Sequence, residues 1–85
     1  MSAVESLVDE AIRCAVMFRL GRDVEAGLAM IELATALQAS FDHAPTDVQQ
    51  RWLVLLGCLL ECQESQNWLA LADYLEYELP QLLVG

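Results

Sequence analysis

Three cysteines and one histidine are the residues of this sequence whose types could bind a metal. Cys58 and Cys62 lie four residues apart, and Cys14 with His43 would formally complete a zinc site of three cysteines and one histidine. The spacing is not that of a turn-borne zinc knuckle. The segment around Cys58 is also apolar, and cysteine packs there as a small hydrophobe. We therefore expect reduced core thiols rather than a disulfide framework, and neither a metal nor another cofactor.

Carboxylates form the second group whose chemistry matters. Five of the thirteen acids lie in the C-terminal third, at Glu61, Glu64, Asp73, Glu76 and Glu78. A di-metal site in a helical bundle uses Glu-x-x-His motifs that point inward, and the sequence contains none. It also lacks a glycine-rich phosphate loop. The sequence therefore predicts that the protein is not an enzyme.

The charge balance restricts the class of partner. Thirteen acidic residues stand against four basic ones, which gives a formal net charge of -9. The basic residues are Arg13, Arg19, Arg22 and Arg51, and the chain after Arg51 carries only acids. Such a surface disfavours nucleic acid and anionic lipid and favours a basic protein partner. We expect arginines of the first two helices to pair with Glu76 or Glu78.

No targeting or membrane signal is visible in the sequence. The first residues, "MSAVESLVDE", carry acids where a signal peptide has a basic region. No apolar run approaches the roughly 20 residues that span a bilayer. We therefore expect a cytoplasmic protein with no membrane partner.

The elements that must position these groups are helices, because apolar residues recur at steps of three and four. Gly21, Pro45 and the polar stretch "QESQN" divide the chain into four segments. This pattern predicts an all-α fold, a small four-helix bundle built from two antiparallel helical hairpins, with residues 1–85 as a single domain. The hydrophobic content of 56% exceeds what a small monomer usually hides, which favours a homodimer.

Several local signals predict where the helices begin and end. Gly21 has the position of a left-handed C-terminal cap, and Asp23 that of the next N-cap. Thr46 and Gln49 have capping-box spacing. Pro80 is expected to kink or end the last helix and leave "QLLVG" as a loose apolar tail.

The third segment is apolar on all sides. Its "WLVLLGCLL" run predicts a helix that is central or pressed against another chain. A close helix–helix approach would explain Gly57 within it. Trp52 and Trp68 are expected to pack in the core.

Two stretches resemble known families. "FRLGRDVEAGLAMIELATAL", residues 18–37, resembles part of a tetratricopeptide unit, although its period of about 34 residues does not recur. "WLALADYLEYELPQLL", residues 68–83, is similar to the closing helix of short acidic helical bacterial proteins that resemble flagellar and type III export chaperones. The second resemblance implies a small acidic protein that masks an amphipathic helix of an export substrate.

These observations lead to a functional expectation. We expect a non-enzymatic protein-protein interaction module, such as a small export chaperone or adaptor, whose third and fourth helices form a groove for an amphipathic or basic helix. The expected contact residues lie on the last helix and are Trp68, Leu71, Tyr74, Leu75 and Tyr77, with Glu76 and Glu78 as an acidic rim. The alternative is a structural homodimer with no groove ligand.

Overall fold

The computed structural model describes residues 3–84, and all regular structure in this part of the chain is helical. The prediction of an all-α fold is confirmed. Three long helices come first: α1 (Ala3–Arg19), α2 (Asp23–Phe41) and α3 (Thr46–Glu64). After a turn at residues 65–67 come α4 (Trp68–Asp73), a π-helical turn (Tyr74–Glu78) and α5 (Leu79–Val84), which follow one another without a break. We call these last three segments together the C-terminal helix.

The turn between α1 and α2 is a Schellman motif built on Gly21. The Gly21 N–H donates to the Phe18 carbonyl at 3.2 Å, and the Arg22 N–H donates to the Met17 carbonyl at 3.0 Å. Gly21 has a φ of 76°, which glycine adopts without the steric penalty that a Cβ atom brings. The predicted left-handed cap is confirmed.

The turn between α3 and the C-terminal helix repeats this motif on a residue that is not glycine. The Gln66 N–H donates to the Gln63 carbonyl at 3.2 Å, and the Asn67 N–H donates to the Cys62 carbonyl at 2.8 Å. Gln66 has a φ of 58°, so its backbone is in the left-handed region, which is unfavourable for a residue that has a Cβ atom. The side chain of Asn67 then accepts from the N–H of Ala70 and caps the next helix.

The helices α2 and α3 begin where the sequence predicted, but the two predicted N-caps are wrong by one residue. Asp23 is the first helical residue of α2, and Arg22 occupies the N-cap without a side-chain cap. Thr46 is likewise the first helical residue of α3, because Pro45 takes the extended N-cap conformation. No capping box forms there, and the Gln49 side chain instead donates to the Asp42 carbonyl at 3.0 Å.

Buried residues from all the helices belong to one hydrophobic core. Helix α1 packs on α2 and on the C-terminal helix, which also contacts α3. Trp52 is buried and stacks on Phe41, with ring centroids 5.0 Å apart. Trp68 is half-buried and stacks on Phe18 at 5.4 Å. The expected core position of Trp52 is confirmed, and Trp68 packs at the edge of that core.

An arginine of α1 forms ion pairs with two acids of the C-terminal helix. Arg19 lies 2.9 Å from the carboxylate of Asp73 and also pairs with Glu76. These hydrogen bonds, led by the one to Asp73, raise the pKa of the Arg19 guanidinium above its ordinary value. The predicted pairing of an N-terminal arginine with Glu76 is confirmed. Arg22 pairs within its own helix, with Glu25.

Pro80 does not end the C-terminal helix, contrary to the sequence prediction. The N–H of Leu79 donates to the Tyr74 carbonyl five residues earlier, which is the bond of a π-helical turn. Proline has no N–H, and its ring clashes with the carbonyl of an α-helical turn before it. The wider turn directly precedes this part of the chain, and the helix continues through Pro80 to Val84. Leu82 is buried and Leu83 is half-buried, so these two leucines of the predicted tail are packed, whereas Val84 is 75% exposed. Gly85 lies outside the described residues.

Gly57 is exposed, and a Cβ atom added there would meet nothing within 4 Å. The expected close approach of another helix at Gly57 is therefore wrong within this chain.

Candidate partner-binding groove

A groove runs between α3 and the C-terminal helix. Its volume is about 560 Å³, which is within the range of protein sites that bind small ligands or segments of other chains. It is lined by side chains from these two elements alone: Asp47, Gln50, Arg51, Val54, Leu55, Cys58, Tyr74, Glu78 and Leu82.

The floor of the groove is apolar. Leu55 and Leu82 are buried at its base, and Val54 stands largely exposed beside them. Val54 and Cys58 are four residues apart on α3 and therefore share one side of that helix. An apolar stripe on another helix would cover this floor and remove the Val54 side chain from water.

The π-helical turn aligns the three residues of the C-terminal helix that line the groove opposite α3. Tyr74, Glu78 and Leu82 are spaced by four residues, and all three line the groove. In a regular α-helix each step of four overshoots a full turn by about 40°, so such a row drifts around the helix. The wider turn reduces the rotation per residue and keeps the row in line. The same turn lets Leu71, Leu75 and Leu79, also spaced by four, remain fully buried.

The rim of the groove carries two acids and one base. Asp47 and Arg51 belong to α3, and Glu78 belongs to the C-terminal helix. Outside the groove, Tyr77 lies with Ala70 and Asp73 in a shallower depression that shares Tyr74 and Glu78. The rim is therefore acidic overall, in keeping with the net charge of -9.

The polar groups at the centre of the groove are a phenol and a thiol. The nearby Cys58, through charge and then through a hydrogen bond, raises the pKa of the Tyr74 phenol above its ordinary value of 10.0. The pKa of the neighbouring Cys62 thiol is raised too, first by burial and then by Cys58 and Glu61. Tyr74 is therefore a neutral hydrogen-bonding group near pH 7. A nucleophilic cysteine needs a lowered pKa, so Cys62 is not activated.

Only part of the predicted contact set lies in this groove. Tyr74 and Glu78 line it. Leu71 and Leu75 are fully buried in the core, so their prediction as contact residues is corrected. They are buried because they form the inward row of the C-terminal helix.

The other three predicted residues face elsewhere. Trp68 stacks on Phe18, Glu76 pairs with Arg19, and Tyr77 is exposed beside the groove rather than in it. The sequence analysis expected α3 to line the groove but named no residue of it. Val54 and Arg51 were therefore missed, since the predicted contact residues were all taken from the last helix.

Comparison of this chain with protein-family models, with curated proteins and with solved structures found no significant match. The groove must therefore be interpreted from its own residues.

Residues 3–84 contain neither a metal-binding cluster nor a helix able to span a membrane. No three histidine, cysteine, aspartate or glutamate side chains are grouped there in a way that could hold a metal ion. No helix in the same range combines the length and apolar character needed to cross a bilayer.

Proposed function

We propose that this protein is a non-enzymatic interaction module, a small chaperone or adaptor, that receives a basic amphipathic helix of a partner in the groove between α3 and the C-terminal helix. The observation that carries the proposal is the combination of an apolar floor, Val54, Leu55 and Leu82, with a rim that contains Asp47 and Glu78. An amphipathic helix presents the complementary pattern, an apolar stripe flanked by charge.

Charge favours a basic partner over an acidic one. The chain after Arg51 contains acids and no basic residue, so the whole C-terminal wall attracts cations. Lysines or arginines at the edges of a bound helix would reach Asp47 and Glu78. Attraction of this kind raises the association rate more than the affinity, and it weakens with salt.

The finer architecture belongs to the same proposal. We infer a four-helix bundle of two antiparallel hairpins, α1 with α2 and α3 with the C-terminal helix, in a cytoplasmic protein. Support comes from the short turn at Gly21, the matching turn at Gln66 and the packing of α1 on the C-terminal helix.

The experiment uses a synthetic fluorescent peptide that is helical, with leucines on one face and lysines on the other. Binding is followed by fluorescence anisotropy at low and moderate salt. A second peptide with glutamates in place of the lysines tests the sign of the charge. We expect the lysine peptide to bind more tightly, and the difference to shrink as salt rises.

A matched pair of variants locates the binding site. Val54 in the groove and Leu69 on the C-terminal helix outside it are 69% and 68% exposed. Val54→Arg places a cation on the groove floor and should weaken binding of the lysine peptide at least about tenfold, or 1.4 kcal/mol. Leu69→Arg should leave the affinity nearly unchanged. Equal losses in both variants would contradict the groove as the site.

A further inference from the structure

The charged residues of the groove follow a definite order along α3. Asp47, Arg51 and Cys58 all line the groove from this helix. Arg51 precedes Cys58 by seven residues and Asp47 precedes it by eleven, so their backbones lie about 10 and 16 Å from Cys58 along the helix axis. The basic residue therefore lies between the acid and the thiol.

The C-terminal helix adds one charge at a different level. Tyr74 marks the same end of the groove as Cys58, because the two side chains share a hydrogen bond. Glu78 follows Tyr74 by four residues, about one helical turn further along the groove. From the Cys58 end, the groove thus presents Glu78 on the C-terminal helix, then Arg51 and finally Asp47 on α3.

These three charges are exposed and available to a ligand. Asp47, Arg51 and Glu78 all have exposed side chains. Within residues 3–84 the ion pairs are those of Arg19 and Arg22, and none of them includes a residue that lines the groove. The guanidinium can therefore bind an anionic group of a ligand, and each carboxylate can bind a cationic one.

We propose, building on the function proposed above, that the helix bound in the groove carries an acidic residue opposite Arg51, between basic residues opposite Glu78 and Asp47. A helix with bases at every edge position would match the two acids but would bring a like charge to Arg51. A helix with acids at every edge position would match Arg51 alone. The alternating pattern matches all three charges. It also places an acid and a base one turn apart on the ligand, a spacing that stabilises the helix itself.

The apolar floor prevents the ligand from avoiding Arg51. Val54 and Leu55 follow Arg51 by three and four residues, so they are its neighbours on the same side of α3. A helix whose apolar stripe covers these two side chains must place an edge residue close to Arg51. Sliding away from the guanidinium would uncover the floor. The charge at that one edge position should therefore distinguish partners that share the same apolar stripe.

The test uses a parent peptide helix with leucines on one face and lysines at both edges of that face. In a set of related peptides, each edge lysine in turn is replaced by glutamate. Fluorescence anisotropy at low salt measures the affinities. We expect at least one glutamate peptide to bind the wild-type protein about two- to fivefold more tightly than the parent, the range of single exposed ion pairs. If every glutamate weakens binding, the inference is overturned, and binding of the parent leaves the proposed function standing.

Two variants with the same change in net charge locate the effect. Arg51→Glu reverses the charge in the groove, and Arg13→Glu reverses the charge of an exposed arginine of α1 that does not line it. Circular dichroism checks that both variants remain folded. The favoured glutamate peptide should bind Arg51→Glu more weakly than the parent does, and should keep its advantage with Arg13→Glu.

Two other outcomes have separate meanings. Loss of the advantage in both variants would assign it to net charge and contradict a specific role of Arg51. If neither the parent nor any glutamate peptide binds the wild-type protein, the proposed function fails, and the charge pattern inferred for its partner fails with it.

Discussion

Gln38 of α2 accepts a 2.9 Å hydrogen bond from the indole Nε1 of Trp52 in α3. Trp52 is buried and stacks on Phe41, so its N–H has little access to water. The bond joins α2 and α3 near the C-terminal end of α2. At the other end the Gln63 side chain lies beside Gly27. Gln38 and Gln63 therefore lie at the two ends of the apolar contact between α2 and α3. The Gln38 hydrogen bond lies at the end where Trp52 is buried.

Replacing Gln38 by leucine should therefore destabilise the fold by about 1–3 kcal/mol, because the buried indole N–H loses its acceptor. Urea unfolding followed by circular dichroism measures the change. The Gln38 amide also donates to the Asp42 carboxylate at 2.9 Å, so the control, Gln38→Glu, is made together with Asp42→Asn to avoid two adjacent carboxylates. This pair keeps an acceptor for the indole and should cost less than Gln38→Leu made with Asp42→Asn. A leucine variant as stable as the wild type would show that water reaches the indole.

Gln66 should be replaceable by glycine with a gain in stability. Its φ of 58° is in the left-handed region of the backbone. A residue with a Cβ atom pays roughly 1–2 kcal/mol to adopt this conformation, and glycine does not. The converse change, Gly21→Ala, should destabilise the matching turn by a similar amount. The midpoints of urea unfolding for the two variants should move in opposite directions from that of the wild type. Movement in the same direction would mean that the two turns are not equivalent.

Cys14 should make stability depend on pH in the alkaline range. Its thiol is buried, with its Sγ 3.5 Å from the Ala26 carbonyl, and burial raises its pKa from 9.0 to about 11. The unfolded chain therefore loses this proton first. Stability due to the neutral thiol is complete below pH 9 and falls between pH 9 and 11, by up to about 1.4 kcal/mol per pH unit.

The measurement compares the unfolding free energies of the wild type and Cys14→Ala from pH 8 to 10.5 under reducing conditions. The difference between the two proteins should be constant below pH 9 and should shift in favour of the alanine variant above it. A difference that stays constant across the range would show that the Cys14 pKa is not raised.

Arg19→Met should loosen the contact between α1 and the C-terminal helix only slightly. Methionine keeps much of the apolar stem, while the pairs with Asp73 and Glu76 are lost. Because the Arg19 side chain is partly exposed, we expect a loss of about 0.5–1 kcal/mol. The loss should be smaller in high salt. Thermal melts at two salt concentrations measure both effects, and a loss that salt does not change would indicate packing rather than charge.

Much of the fold could be predicted from the sequence. Steps of three and four apolar residues indicate the helices, and Gly21 indicates the first turn. The N-caps were misassigned by one residue, to Asp23 and Thr46, although both helices begin where the sequence predicted. Side-chain type alone does not show which residue has the extended N-cap conformation, and at α3 Pro45 already had it.

The site was less predictable. Tyr74 and Glu78 were expected from their types and line the groove. Leu71 and Leu75 were named as contact residues but are fully buried, because the π-helical turn keeps the row of Leu71, Leu75 and Leu79 inward. The place of Val54 in the groove could not be predicted, because its neighbours in the "WLVLLGCLL" run are nearly all apolar as well. Its exposure depends on where α3 meets the C-terminal helix.

The π-helical turn also has a consequence for changes in chain length. It holds one residue more than the α-helical turn it replaces, so it is equivalent to a single-residue insertion in a regular helix. Deleting one residue between Tyr74 and Glu78 would let the turn close as an ordinary α-helical turn, and Leu82 would stay close to its present side of the helix. The same deletion within α3 would rotate every following residue of that helix by about 100°. The C-terminal helix should therefore accept a one-residue deletion at this turn more readily than α3 accepts one in its interior.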